Sequence, residues 1–157
     1  MNFGDKGYLV AGTTPAVIWK AYLQFDLASI PDDAAISNAR LGLYYHFSAI
    51  SQAEAIGAYI VQGSWNEGTI TWNNQPLVAT TPEYICTVPG SPTNDFVYWY
   101  IGDLVKGWWD GSIPNYGVML RGTDEGGGTA MKTFYSSDDV SASQRPVLII
   151  TYYKPAP

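Results

Sequence analysis

Apolar and polar residues alternate along most of this chain, with the period of a strand that buries one face. Leu23, Phe25 and Leu27 alternate with Tyr22, Gln24 and Asp26. Ile30-Pro31-Asp32-Asp33 ends that run, because proline removes a ladder donor and aspartate favours turns. Leu41, Leu43, Tyr45 and Phe47 form the next inward set, opposed by Arg40, Gly42, Tyr44 and His46. Further strands are predicted at 56–61, 84–88, 96–101, 118–121, 133–136 and 147–153. Residues 103–109 are the one helical candidate. Leu104, Val105 and Trp108 share a face, Asp103 lies at the N-terminus, and Gly107 and Gly111 limit it to about two turns.

Short strands, frequent turn residues and almost no helix predict an all-β fold: a jelly-roll-like antiparallel β-sandwich with one short helix. Residues 1–153 make one module, and Lys154-Pro155-Ala156-Pro157 begin a Pro-rich linker or tail. The stretch 122–129, with four glycines, reads as a mobile surface loop. Trp65-Asn66-Glu67-Gly68-Thr69-Ile70-Thr71-Trp72-Asn73-Asn74-Gln75-Pro76 is too specific for a generic turn and reads as a loop locked onto the sandwich.

Composition narrows the function classes. A net charge of −6 with only eight scattered Lys and Arg residues excludes nonspecific nucleic-acid binding, which depends on neutralising phosphates. The apolar runs are too short to insert into a membrane, and no signal peptide opens the chain. Cys86, the single cysteine, reads as a small buried hydrophobe among Tyr84, Ile85 and Val88. Twelve tyrosines and six tryptophans with 14% charged residues suit surfaces that touch sugars or other proteins.

The candidate ligand-binding residues are aromatic side chains that phase leaves outside: Trp109, next to inward Trp108; the consecutive Tyr98, Trp99 and Tyr100, at least one of which must face outward; and Tyr44 on the polar side of its strand. Flat rings of this kind stack on the C–H faces of sugars. The acidic doublets Asp32-Asp33, Asp124-Glu125 and Asp138-Asp139 are candidates for a structural calcium ion, and Asp138-Asp139, flanked by serines, is the preferred metal site. His46 is the single histidine and faces away from the core. No nucleophile motif or paired-histidine metal motif occurs, so the chain reads as no enzyme.

The ordered segments Asn2-Phe3-Gly4, Ala21-Tyr22-Leu23-Gln24-Phe25-Asp26-Leu27, Ala39-Arg40-Leu41-Gly42-Leu43-Tyr44, Trp65-Asn66-Glu67 with Thr71-Trp72, Leu104-Val105 with Trp108, Pro114-Asn115-Tyr116-Gly117 and Arg145-Pro146-Val147-Leu148 resemble those of DNRLRE-type domains over nearly the whole chain. The six-letter string that names that family is absent. The resemblance implies a jelly-roll module of secreted or surface proteins, some members binding acidic polysaccharides such as alginate and others building virion or surface structures. It implies structural roles for Trp65, Glu67, Trp72, Trp108, Asn115 and Arg145. Trp65 and Trp72 are expected to cover an open sandwich edge. Glu67 is expected to accept hydrogen bonds from backbone amides or Thr71, Asn115 to make a turn, and Arg145 to pin a strand entry. Family members carry a further strand before the Asn-x-Gly segment, so either Met1 is an imposed boundary or a neighbour donates that strand. The segment before the helix, Tyr100-Ile101-Gly102, also departs from the Asp-Val-Thr-like pattern of the family.

The preferred reading is therefore a noncatalytic carbohydrate-binding module that tethers an extracellular or surface protein to polysaccharide. The alternative is a structural assembly subunit of a virion, filament or surface layer, whose partners are other subunits. For an acidic polysaccharide the candidate cations are Lys20, Arg40, Lys106, Arg121 and Lys132.

Overall fold

A computed structural model describes residues 1–124 and 130–157. The elements run β1 (Tyr8–Thr13), β2 (Ile18–Trp19), β3 (Ala21–Leu23), β4 (Ala35–Ser48), β5 (Glu54–Ile60), β6 (Tyr84–Val88), β7 (Asp95–Tyr100), α1 (Gly102–Asp110), β8 (Val118–Gly122), β9 (Met131–Tyr135) and β10 (Val147–Tyr153), with a 3-10 turn at Ala142–Gln144. Two antiparallel sheets form a jelly-roll-like sandwich. One has six strands in the order β10-β4-β9-β1-β2, with β7 on the other side of β4; the other has four, in the order β3-β8-β5-β6. The predicted fold class is borne out.

β4 organises the larger sheet. Its fourteen residues pair with β10 over the first half, with β9 at the end and with β7 along the opposite edge. Leu41, Leu43 and Tyr45 point inward and are fully buried with Trp99 of β7 and Phe134 of β9. Ile56 and Ala58 of β5 and Val118 and Leu120 of β8 supply the facing layer. Tyr45 keeps its hydroxyl satisfied by donating to the Pro89 carbonyl at 2.9 Å.

The alternation in β4 breaks at its end. Tyr45 pairs with Phe134, but Phe47, not His46, pairs with Thr133. This bulge places His46 and Phe47 on the same outer face. Phe47, predicted inward, is 49% exposed.

β1 and β2 have no counterpart in the sequence prediction. Gly12 within β1 has φ +119°, and a Cβ there would meet the Ala130 carbonyl oxygen at 2.5 Å, so the strand carries a residue that weakens its own signal. The predicted alternation over 22–27 forms a strand only to Leu23. Beyond it, side chains replace the ladder: Gln24 Nε2 donates to the Asn115 carbonyl at 2.8 Å and Asn115 Nδ2 to the Phe25 carbonyl at 2.9 Å.

α1 packs its Leu104, Val105 and Trp108 into the core and ends at Gly111 in the left-handed conformation, φ 77°. Asp103 lies in its first turn without a side-chain capping bond. Gly107 is not a terminator. It sits buried inside the helix where Ile113 crosses it. The predicted loop over 122–129 and the doublet Asp124-Glu125 fall largely at 125–129, outside the described residues.

Candidate functional site

The outer face of the six-stranded sheet carries a contiguous run of rings. On β7, residues 96, 98 and 100 alternate outward, and their partners across the ladder on β4 are Tyr44, Gly42 and Arg40. Phe96 stacks with Tyr98 at 6.2 Å and meets Tyr44 edge-on at 5.5 Å. Tyr44 in turn packs on Tyr135 of β9 at 5.6 Å, and Tyr135 stacks on His46 at 4.0 Å. Gly42 makes this packing possible, since a Cβ there would lie 2.9 Å from the Tyr98 ring and 3.2 Å from Phe96. The Arg40 guanidinium lies over the Tyr98 ring at 4.6 Å, a cation–π contact between two half-buried side chains. Burial lowers the pKa of His46 from its ordinary value, and nearby Asp139 opposes the shift.

At His46 the run passes into a groove of about 730 Å³. Phe47, Tyr8, Trp19 and Trp72 line it, with Phe3 tilted against Trp19 at 5.9 Å. Trp72 is 54% exposed at the far rim, and the Lys20 ammonium sits 4.2 Å from its ring centroid. Lys20 also donates to Gln75 Oε1 at 3.2 Å, as does the Tyr22 hydroxyl at 3.1 Å. Tyr22 is pushed up to about 12 by burial, with the Arg121 charge pulling the other way, so it remains a neutral donor. A cation perched on a ring thus stands at each end of the aromatic face.

Residues 1–152 match the model of carbohydrate-binding module family 96. The chain belongs to this family. No curated protein matches it. The expected kinship with carbohydrate-binding modules is borne out, and the DNRLRE-type name is not part of the match.

Within this family 96 module the sequence-selected aromatics separate. Tyr98, Tyr100 and Tyr44 share the outer face described above. Trp99 does not. It is fully buried, and its Nε1 donates to the Ile56 carbonyl at 2.8 Å, because the strand period turns it opposite to both neighbours. Trp109 does not point into solvent either. It packs against the core, and its Nε1 donates to the Ala34 carbonyl at 3.1 Å. Phe96, Tyr135 and Phe47 were missed. Alternation with Tyr98 and Tyr100 was the available signal for Phe96, whereas Tyr135 and Phe47 required knowledge of the pairing.

The structural set divides too. Trp65 is half-buried against Tyr22 at 5.4 Å, and its Nε1 donates to the Tyr116 carbonyl at 2.8 Å, which holds the loop on the smaller sheet. Trp72 is more than half exposed and lies with Trp19 and Lys20 in the groove beside β2, the edge strand of the larger sheet. Glu67 does not bind Thr71, whose hydroxyl bonds Asn74 Oδ1 instead. Its main-chain carbonyl accepts from Asn2 Nδ2 at 2.7 Å, and its side chain borders a second cleft with Asp26. Trp108 is buried, Asn115 closes its turn by accepting from the Gly117 amide, and Arg145 Nε donates to the Asp139 carbonyl at 2.8 Å.

The Asp138-Asp139 pair is built into the same loop. Asp139 accepts from the Ser141 amide at 2.8 Å, and the Asp138 amide donates to Ser136 Oγ at 3.0 Å. Among the described residues no three His, Cys, Asp or Glu side chains converge on a point that would hold a metal ion. Of the candidate cations, Lys132 is fully buried, with Nζ donating to Ser48 Oγ at 2.9 Å and the Gln52 carbonyl at 2.6 Å, so it faces no ligand. Arg121 lies over Tyr59 on the opposite sheet, and Lys106 pairs weakly with Asp103 at 3.8 Å. Only Arg40 and Lys20 border the aromatic face.

Proposed function

We propose that this family 96 module is a noncatalytic binder of carboxylate-bearing polysaccharide, tethering the protein that contains it to that polymer outside the cell, and that the outer face of the six-stranded sheet is the binding surface. The observation that carries the reading is the unbroken ring run Tyr98–Phe96–Tyr44–Tyr135–His46, with Arg40 on Tyr98 at its outer end. Rings offer stacking area to sugar C–H faces at small entropic cost, because the packing already fixes them. Arg40 and Lys20 add the charge complementarity that a protein of net −6 otherwise lacks.

The test is affinity electrophoresis against carboxylated and neutral polysaccharides, followed by calorimetric titration of any polymer that retards the module. Binding of carboxylated polymers, weakened about tenfold by Arg40→Ala and by Tyr98→Ala when measured on the folded fraction of each variant, is the expected result. Retardation by no polymer, or indifference to both substitutions, would end the reading. Concentration-dependent self-association through this face would favour the assembly subunit instead.

A further inference from the structure

We infer that the face holds an internal stretch of polysaccharide lying across the strands, and not a chain end; this rests on the function proposed above. The ring contacts follow one strand only from Tyr98 to Phe96 along β7 and then leave it. They step from β7 to β4 to β9, where Tyr135 is flanked on β4 by Tyr44 and His46 and paired across the ladder with Tyr8 of β1, which with Trp19 of β2 walls the groove. Four inter-strand spacings separate β7 from β2, so the crossing measures roughly 19 Å, in addition to the stretch from Tyr98 to Phe96 along β7. A linear polymer laid along it meets a ring at every strand.

Both ends of this path are open. Tyr100 is 45% exposed at one edge and Trp72 is 54% exposed at the other. The middle of the path, Tyr44, Tyr135 and His46, is the half-buried floor. Recognition of a chain terminus needs the reverse arrangement, a closed end with polar groups aimed at the terminal hydroxyls. The charges follow the same logic. Arg40 and Lys20 stand at opposite ends of the path, so a short fragment reaches one of them while a long one engages both. Linked contacts of this kind raise affinity steeply until the span is filled, then no further.

The experiment is calorimetric titration of the whole chain with size-defined oligouronates from disaccharide to decasaccharide, each with its reducing end free and with that end reduced to the alditol. Affinity that climbs with length to a plateau, and that is insensitive to end reduction in the long oligomers, is expected. Tyr100→Ala and Trp72→Ala, at opposite ends, should each weaken the decasaccharide about tenfold. Each of the two should also shorten the length at which the plateau is reached. A disaccharide that binds as tightly as the decasaccharide, or strong dependence on end reduction, would overturn the inference while leaving polysaccharide binding intact. Absence of binding by every oligomer and by the parent polymer would instead remove the proposed function itself. Circular dichroism melts of both variants accompany the titrations, and their exposed positions predict unchanged folding.

Discussion

His46 lies flat on Tyr135, with ring centroids 4.0 Å apart and planes 6° from parallel. The bulge at the end of β4 makes this contact, by turning both His46 and Phe47 to the outer face. Among the described residues no partner reaches the buried Nε2 atom. Burial therefore favours the neutral imidazole, with the Asp139 carboxylate opposing it.

A pH dependence of stability follows. Since the folded pKa lies below the unfolded value of about 6.5, the unfolded chain binds more protons in the window beneath it. The contribution of His46 is complete above that value and is lost as pH falls through the folded pKa. Denaturant unfolding of the native chain and of His46→Phe, which keeps the stack and removes the titration, measures the effect. The native chain should lose stability more steeply than the variant between neutral pH and the mildly acidic range. Parallel pH profiles would contradict it.

The two tryptophans of the 65–76 loop should behave oppositely. Trp65→Ala removes a half-buried ring packed on Tyr22 and a hydrogen bond to the Tyr116 carbonyl, and should cost about 3 kcal/mol. Trp72→Ala removes an exposed ring and should change stability by less than about 1 kcal/mol. Thermal melts of the two variants distinguish them, and equal losses would mean that Trp72 is needed to hold the loop.

Lys132 supplies a control for charge. Its ammonium is buried under Tyr45, bonds Ser48 and Gln52, and has its pKa pulled down by burial, with the buried Glu54 acting against that shift. Lys132→Ala leaves Glu54 without that charge and should destabilise the fold by about 3 kcal/mol. Ligand affinity of the folded fraction should stay unchanged, in contrast to Arg40→Ala. Loss of affinity without loss of stability would place Lys132 at the ligand after all.

Period and turn chemistry made much of the sandwich legible. β6 and β10 lie where alternation put them, and β7 and β8 start or stop within one residue of it. β1 escaped because Gly12 interrupts its pattern, and β2 because two residues make no period. For the outer aromatic face, alternation set Tyr44 on the polar side of its strand and required at least one of Tyr98, Trp99 and Tyr100 to face outward. It could not show that Tyr135 and His46 continue the run, since that requires the β4–β9 register and its bulge. Trp99 and Trp109 were misplaced for a related reason. Adjacency to inward Trp108 argued Trp109 outward, and three consecutive rings left the side of Trp99 open, whereas both indoles prove to have carbonyl partners in or beside the core.

Gly107 is where local and tertiary effects conflict, and their magnitudes predict the sign. In an isolated helix Gly107→Ala would stabilise by about 1 kcal/mol, since glycine is the poorer helix former. Here the new Cβ would stand 2.5 Å from Ile113 Cδ1, 2.7 Å from Cγ1 and 3.1 Å from Cβ. Rotation of the Ile113 tip relieves only the first contact, so the segment that follows the helix must shift, at an overpacking cost of about 1–3 kcal/mol. That segment is tied down by the Ile113 amide, which donates to the Gly107 carbonyl at 3.0 Å. Gly107→Ala should therefore lower the melting temperature, and adding Ile113→Ala should remove most of the clash, giving a double mutant more stable than additivity allows. If Gly107→Ala alone raises the melting temperature, Ile113 yields more easily than its contacts with the helix imply.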